Sequence, residues 1–464
     1  MQLFSRNRQP GPALLLGFSA SLLAACLLGI LSRPDNLLAL VWPTNALLLG
    51  WLLRRRRLAG VLGWSCAALA YLAADLLTGS SLQLALHMTA ANLAGVAAGY
   101  VVLRHSTHFN RLLSGPSSIL MLLIASLCAG LVAAAVAMPT TSFLLDLSPR
   151  QAMAYWFSAE LVCYMALLPS FLLASPGQPV APPAAPALVR WAPLASLAGS
   201  ILFALLSGGP GAIAFTVPAL LWCALSYPQR LVALCSLVVC TGTLLAVAVG
   251  LLDIGLSDME LDAVVSLRMG MAMIAVAPLM VSAMNASRER MLKALHHAAV
   301  HDSLTGVLSR VGFFAEVPQL LRNRNRSIGT LMLDIDLFKQ INDRHGHAAG
   351  DRVLGEVAQR LRTSLPEAAI IGRLGGEEFA VLLPDADLAA SRHCAEQLRQ
   401  RINEEPFVLL PGLPPLAVTL SIGVATLERH DERHIDTVLH LADQALYRAK
   451  GNGRNQVAVA SGAD

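Results

Sequence analysis

Arg373-Leu-Gly-Gly-Glu-Glu-Phe379 decides how this chain reads. Two adjacent glycines suit a tight turn, because glycine accepts positive φ without a Cβ penalty. Apolar residues flank the turn, Ala369-Ile-Ile371 before it and Phe379-Ala-Val-Leu-Leu383 after it. The pattern predicts a β-hairpin whose tip carries Glu377 and Glu378. Taken alone, the stretch reads better as a solvated turn that happens to be acidic. Its neighbours along the chain change that balance.

Upstream lies Leu331-Met-Leu-Asp-Ile-Asp-Leu-Phe-Lys-Gln-Ile-Asn-Asp343. Alternation places Asp334 and Asp336 on one face at the end of a strand. Paired acids are costly to hold together unless a cation or water screens them. Hard carboxylate oxygens suit Mg²⁺, which takes one or two carboxylates plus substrate phosphates. Asn342, His347 and Asp351 follow, at the end of one short helix and the start of the next. Asn and Asp together offer the donors and acceptors that a guanine edge needs. Near the C-terminus, Asp436 can cap a helix whose packed face is Val438, Ala442, Ala445 and Ala449. Gly451 and Gly453 end it. Lys450 and Arg454 are then placed to meet a triphosphate. A cationic helix C-terminus is the plainer reading of that pair.

Together these residues resemble the GGDEF domain, the catalytic module of diguanylate cyclases. The matching segments are His301-Asp-Ser-Leu-Thr-Gly306, the run from Asp334 to Lys339, Asn342-Asp343, Gly346-His347, Gly350-Asp351, Gly375-Gly-Glu-Glu-Phe379, Ser421-Ile-Gly423 and Ala445-Leu-Tyr-Arg-Ala-Lys450. They stand in the family's order, with Glu377 as the Glu variant of the third motif position. The resemblance implies that two GTP molecules become cyclic di-GMP and two pyrophosphates. One GTP per domain implies a homodimer. By the same resemblance, Asp334 and Glu377 would hold Mg²⁺ (or Mn²⁺), with the backbone carbonyl of Ile335. Glu377 would accept the proton, and Glu378 would support the catalytic site. Asn342 and Asp351 would read guanine, with His347 beside them. Lys450 and Arg454 would hold the phosphates, and Asp336 is expected behind the direct ligands.

Two positions depart from the family. Its Arg-x-x-Asp product-inhibition site is replaced by Pro366 and Ala369, so no feedback through that site is expected. Ser309 stands where the family usually has Asn.

The rest of the chain is different in kind. Overall, 55% of residues are hydrophobic and 14% are charged. Mean hydropathy is +0.58, too high for a soluble protein. Ten apolar runs near helical spanning length precede residue 287, at about 12–32, 38–53, 59–78, 82–103, 116–138, 152–174, 189–208, 211–227, 230–252 and 263–285. The second and eighth are the shortest, so eight helices is the alternative count. With an internal N-terminus, Arg54-Arg-Arg-Arg57, Arg104, Arg111, Arg190, Arg230, Arg288, Arg290 and Lys293 fall inside. Asp35, Asp146, Asp253, Asp258, Glu260 and Asp262 fall outside, with Arg33 and Arg150 as exceptions. This is the positive-inside pattern of a bacterial inner (plasma) membrane protein with a cytoplasmic catalytic domain. The first run lacks a convincing cleavage site and reads as a retained helix.

The predicted architecture is therefore a polytopic α-helical membrane domain (1–286), a helical signalling linker (287–301) and a cytoplasmic α/β domain (302–460). Its central sheet should be mostly antiparallel and flanked by helices, with strands near 328–335, 369–374, 379–384 and 416–425. Trp42-Pro-Thr-Asn45 and the arginine-rich loop after it resemble the first kind of MASE membrane-associated sensor domain. Asn45, Asp75, His87, Asn92, Glu160 and Arg268 are polar residues within or near the apolar runs. Buried ionisable groups in membranes are often functional. Glu160 and His87 are the better ligand-site candidates, against a plain helix–helix hydrogen bond. Asp75 and Arg268 fit the outer interface. The linker is rich in helix formers, and Leu292, Leu295 and Ala299 could pair with a twin helix. Seven of the eight cysteines lie in apolar runs without metal-type spacing, so disulfides are not indicated.

A signal-regulated diguanylate cyclase fits these features best. A catalytically silent GTP-binding or partner-binding receptor is the alternative. A transporter with a regulatory tail lacks the paired charges of a translocation path. The net charge of +4 is small and sits at the membrane face, which does not suggest nucleic-acid binding. The sensed signal is not legible.

Overall fold

The computed structural model describes residues 10–31, 41–110, 113–173, 187–254, 261–320, 327–408, 415–428 and 435–460. The chain divides into two units, Met1–Glu289 and Arg290–Asp464.

The first unit is helical. Its elements are α1 (Pro12–Leu31), α2 (Pro43–Arg54), α3 (Val61–Leu77), α4 (Leu82–His105), α5 (Pro116–Leu145), α6 (Pro149–Leu172), α7 (Ala187–Ser207), α8 (Thr216–Ser226), α9 (Gln229–Ala248) and α10 (Leu261–Val300). Helices thus form at all ten apolar runs. Among the described residues, seven are long and apolar enough to cross a membrane. At 1.5 Å per residue, the 12 residues of α2 and 11 of α8 reach only about 18 and 16 Å. A bilayer core is about 30 Å thick. Pro43 opens α2 and the arginine run closes it. The helix is sheltered by its neighbours: Asn45, Ala46, Leu48, Leu49, Leu52 and Leu53 are all buried.

Small residues let α4 and α5 approach closely, with Gly95 and Gly99 against Ala129 and Ala133. Arg56 and Arg104 line one cavity, and Arg54 Nη1 donates to the Phe171 carbonyl at 2.8 Å. The basic ends of α2 and α4 therefore lie together with the C-terminal end of α6 at one end of the bundle. Asn45 Nδ2 donates to Asn92 Oδ1 (2.7 Å) and Glu160 Oε1 (2.6 Å), and Tyr71 OH donates to Asn45 Oδ1 (2.6 Å). This network ties α2, α3, α4 and α6 together. His87 Nε2 lies 2.9 Å from the Val136 carbonyl on α5, which is the plain helix–helix bond. Asp75 and Arg268 are buried within the bundle. All eight cysteines are free.

The second unit is α/β. Its elements are β1 (Leu308–Ser309), α11 (Arg310–Leu320), β2 (Ile328–Ile335), α12 (Phe338–His345), α13 (His347–Ser364), β3 (Ile370–Gly375), β4 (Glu378–Pro384), α14 (Leu388–Glu404), β5 (Leu420–Leu427), α15 (Ile435–Gly451) and β6 (Val457–Val459). The sheet order is β1-β3-β4-β2-β5-β6. The inner pairings are antiparallel, while β1–β3 and β5–β6 are parallel. The sheet is therefore mixed. Its parallel edges escape sequence reading because β1 and β6 are too short to show a period. The expected strand at 416–425 begins at Leu420, and Leu416 forms only an isolated bridge to Phe407.

Both sheet faces are covered, which explains why β2 and β5 are buried along their whole length. Leu331, Leu333 and Ile335 pack with Val353, Val357 and Leu398 of α13 and α14. Ile328 and Met332 pack with Phe313 of α11 and Val438 and Leu446 of α15. Gly423 makes that approach possible, since a Cβ there would lie 2.0 Å from the Ala442 carbonyl oxygen. Strand parity puts Asp334 on the face toward α15.

Candidate active site

The predicted hairpin forms, with Gly376 and Glu377 between β3 and β4. Its glycines play a different part from the one expected, since neither Gly375 nor Gly376 has positive φ. A register shift between Arg373 and Gly375 shapes the turn instead. A Cβ on Gly376 would project into open space, so glycine leaves the tip uncovered. Arg373 braces the tip. Its Nε and Nη2 donate to the Gly376 carbonyl at 2.9 and 2.6 Å. Its Nη1 reaches both Asp302 oxygens at 3.1 and 3.2 Å. Thr305 also donates to Asp302 through N–H and hydroxyl. Burial raises the Asp302 carboxyl pKa, but these donors outweigh it and hold the pKa below the usual range. The sequence reading assigned no role to Arg373 or Asp302. Their presence in the two quoted motifs was the available signal.

Asp334 lies opposite Glu378 on β4 and Ser421 on β5. Residues opposite one another in a ladder share a face, so Asp334 and Glu378 meet at one end of the sheet. Asp334 is buried, and its Oδ2 accepts from Lys450 Nζ at 2.7 Å. Burial pushes the Asp334 carboxyl up to about 6; Lys450 opposes the rise, and Glu377 and Glu378 add to it. The site thus gathers more negative charge than one lysine relieves. That donor set fits a divalent cation bound by two carboxylates, a carbonyl such as that of Ile335, and substrate oxygens. Among the described residues, no three acidic, His or Cys side chains form a metal cage on their own.

Asp336 does not share that role. The strand ends at Ile335, and the Asp336 N–H donates to the Thr419 carbonyl beside β5 at 3.0 Å. Ser421 Oγ donates to its Oδ1 at 2.6 Å. Thr419 Oγ1 and the Asn455 N–H donate to its Oδ2 at 2.7 and 3.0 Å. Asp336 therefore anchors the loop after α15. That loop carries Arg454, which is exposed. Arg454 and Asn455 are both left-handed, with φ of 65° and 45°. Arg399 Nη1 holds Asn455 Oδ1 from the other side at 2.7 Å. Asp436 lies inside the first turn of α15, and the residues before Ile435 fall outside the described part.

The base-edge candidates stand on α12 and α13. α12 leaves the end of β2 almost at once, which keeps Asn342 near the acidic cluster in sequence. His347 opens α13, and Asp351 lies one turn further on; both are exposed. Gly350 has no Cβ for a reason: one would lie 1.9 Å from Asn342 Oδ1. The Asn342 amide thus packs directly against the turn that presents Asp351. Ser309, the departure from the family pattern, donates to the Ala299 carbonyl at 2.6 Å and accepts from the Gly312 N–H at 3.1 Å. It joins the end of α10 to the start of α11.

Residues 299–456 match the family described as diguanylate cyclase, GGDEF domain. The probable diguanylate cyclase DgcF of Escherichia coli O157:H7 is 30% identical over 436 residues, covering 91% of this chain and 89% of that one. The chain belongs to the GGDEF diguanylate cyclase family. As a diguanylate cyclase it makes cyclic di-GMP and uses a divalent metal. The probable diguanylate cyclase DgcF of Escherichia coli K12 is 32% identical over 319 residues, covering 66% of this chain and 97% of that one. A solved structure of the coiled coil and GGDEF domain of DgcB from Caulobacter crescentus, in complex with c-di-GMP, is 28% identical. It covers 37% of this chain and 92% of that one, with a TM-score of 0.36.

Proposed function

We propose that this diguanylate cyclase is membrane-bound, works as a homodimer and is controlled by a signal received in its helical unit. The observation that carries the catalytic reading is the buried Asp334 carboxylate, facing Glu377 and Glu378 and answered by Lys450. Asp334, Glu377 and the Ile335 carbonyl hold Mg²⁺, which supplies a lower hydroxyl pKa and charge neutralisation at phosphorus when bound. Asn342 and Asp351 read the guanine edge, with His347 beside them. Lys450 exchanges Asp334 for the triphosphate, and Arg454 grips the same group from its braced loop. Glu377 takes the proton from the 3′-hydroxyl of one GTP as that oxygen attacks the α-phosphorus of the other and pyrophosphate leaves. Glu378 supports Glu377 at the hairpin tip. A second, equivalent attack closes the ring. Most of the acceleration comes from positioning and electrostatics.

Two GTP-bearing domains must face each other for this chemistry. Met291, Leu292 and Leu295 on the last turns of α10 are 65%, 53% and 61% exposed. A twin helix would cover them. The end of the bundle that gathers Arg54, Arg56 and Arg104 faces the cytoplasm by the positive-inside rule, and the catalytic domain lies on that side of the inner membrane. The test is GTP turnover by the full chain in lipid nanodiscs with Mg²⁺, the product identified by mass. Cyclic di-GMP lost on Glu377→Ala supports the reading. Unchanged product from that variant would remove Glu377 from the chemistry.

A further inference from the structure

The end of the helical unit opposite the arginines holds a cavity of about 100 Å³. It lies among the N-terminal turns of α2, α4 and α6 and the C-terminal turns of α3 and α5. Trp42, Asp75, Asn92, Tyr155, Trp156 and Glu160 are on its wall. Glu160 is 2% exposed. Its Oε1 accepts from Asn45. Among the described residues, its Oε2 has no hydrogen-bond partner, and neither do the indole N–H groups of Trp42 and Trp156. An acceptor and two donors, all buried and unpaired, thus surround one space. Each such group is costly to keep from water unless something in the cavity answers it. Unpaired buried groups in a native structure call for a bound partner.

The wall narrows what that partner is. Its described wall carries two carboxylates, Asp75 and Glu160, and the buried Arg268 guanidinium stands behind it, 4.5 Å from the centre of the Tyr155 ring. With the Tyr155 ring engaged by Arg268, the indoles of Trp42 and Trp156 remain on the wall, and ring faces attract cations. We infer that this cavity binds a small ammonium compound that also bears an oxygen acceptor. The ammonium donates to Glu160 Oε2 and lies against the indole rings; the oxygen accepts from an indole N–H. A water occupies about 30 Å³ of liquid, so the space equals about three waters and suits a compound of only a few heavy atoms, the size of the smallest amino alcohol or amino acid. The site stands apart from the cyclase chemistry. Glu160 is joined through Asn45 to α2, α3 and α4, so an occupant bears on several helices at once.

The experiment uses the full chain in nanodiscs without GTP, so that its result does not depend on turnover or on the catalytic assignments. Ethanolamine and glycine are titrated while tryptophan fluorescence and thermal unfolding are followed. The expected result is a saturable fluorescence change and a raised Tm with at least one of them, and neither with ethylene glycol. Glu160→Gln keeps the size and the Asn45 bond, and weakens binding about ten- to a hundred-fold, the worth of one charge-assisted hydrogen bond. Ala159→Phe, on the cavity wall, fills the space and abolishes binding; a far-ultraviolet circular dichroism spectrum and a cooperative thermal transition matching those of the unliganded wild type certify its fold. No saturable response to either amine, an equal response to ethylene glycol, or unaltered binding by a folded variant would overturn the inference and leave a water-filled cavity.

Discussion

Asp336→Ala should loosen the phosphate grip without touching the metal. The carboxylate accepts from Ser421, Thr419 and the Asn455 N–H. The two hydroxyls can rotate toward other acceptors, but the backbone N–H cannot. Leaving it unpaired costs about 1–3 kcal/mol. The native loop is also strained, because Arg454 and Asn455 are both left-handed, at about 1–2 kcal/mol per residue. The Asp336 bond opposes a strain of its own size, so its loss lets Asn455 relax and carries Arg454 away from its native position. We expect KM for GTP to rise about ten-fold or more, for which 1.4 kcal/mol suffices, and the catalytic unit's melting temperature to fall. Asp336→Asn keeps one acceptor for the N–H and should lie between. The assay is steady-state cyclic di-GMP formation across GTP and Mg²⁺ concentrations, with a thermal melt of each variant. An unchanged KM in Asp336→Ala would refute the anchoring argument. A large rise in the Mg²⁺ requirement at constant KM would make Asp336 a metal ligand instead.

Other outcomes follow from the same site. The Asp334 carboxyl is raised from an ordinary 3.8 to about 6, so its ionised form is the disfavoured one in the folded protein. The sign is therefore a penalty, absent below about pH 4, complete above about pH 6 and worth about 3 kcal/mol at 1.36 kcal/mol per unit. In EDTA, the stability of wild type relative to Asp334→Asn should fall across that window, and a flat difference would remove Asp334 as the strained acid. Gly350→Ala would drive a Cβ against Asn342 Oδ1; KM for GTP should rise at least about ten-fold as the amide is displaced, and unchanged kinetics would show that Asn342 does not read the base. Pro366 and Ala369 offer no charge at the family's feedback position, so cyclic di-GMP should not inhibit through it. Tight product binding that competes poorly with GTP would contradict this.

The sequence by itself determined the elements whose signal is local. Alternating apolar residues marked β2, paired apolar runs around the glycines marked the hairpin, and a 3.6-residue stripe marked α15, each within a residue or two. The positions proposed for chemistry were legible for the same reason, being fixed to those elements at short spacing. What only the tertiary structure decided is which atoms meet across long separations. Asp334 and Asp336 have the same parity, yet one is paired to Lys450 and the other is locked by partners at 419, 421 and 455. His87 and Glu160 look alike as ionisable groups in apolar helices, yet packing gave one a carbonyl on α5 and left the other with an unpaired oxygen at a cavity, among the described residues. The burial of α2 also depended on packing, since its neighbours cover this short helix on most sides. Periodicity and backbone preference act over a few residues and can be read from order alone. Partner choice arises only when sheet and bundle close, because buried polar atoms then take whichever donor or acceptor the folded chain brings within reach.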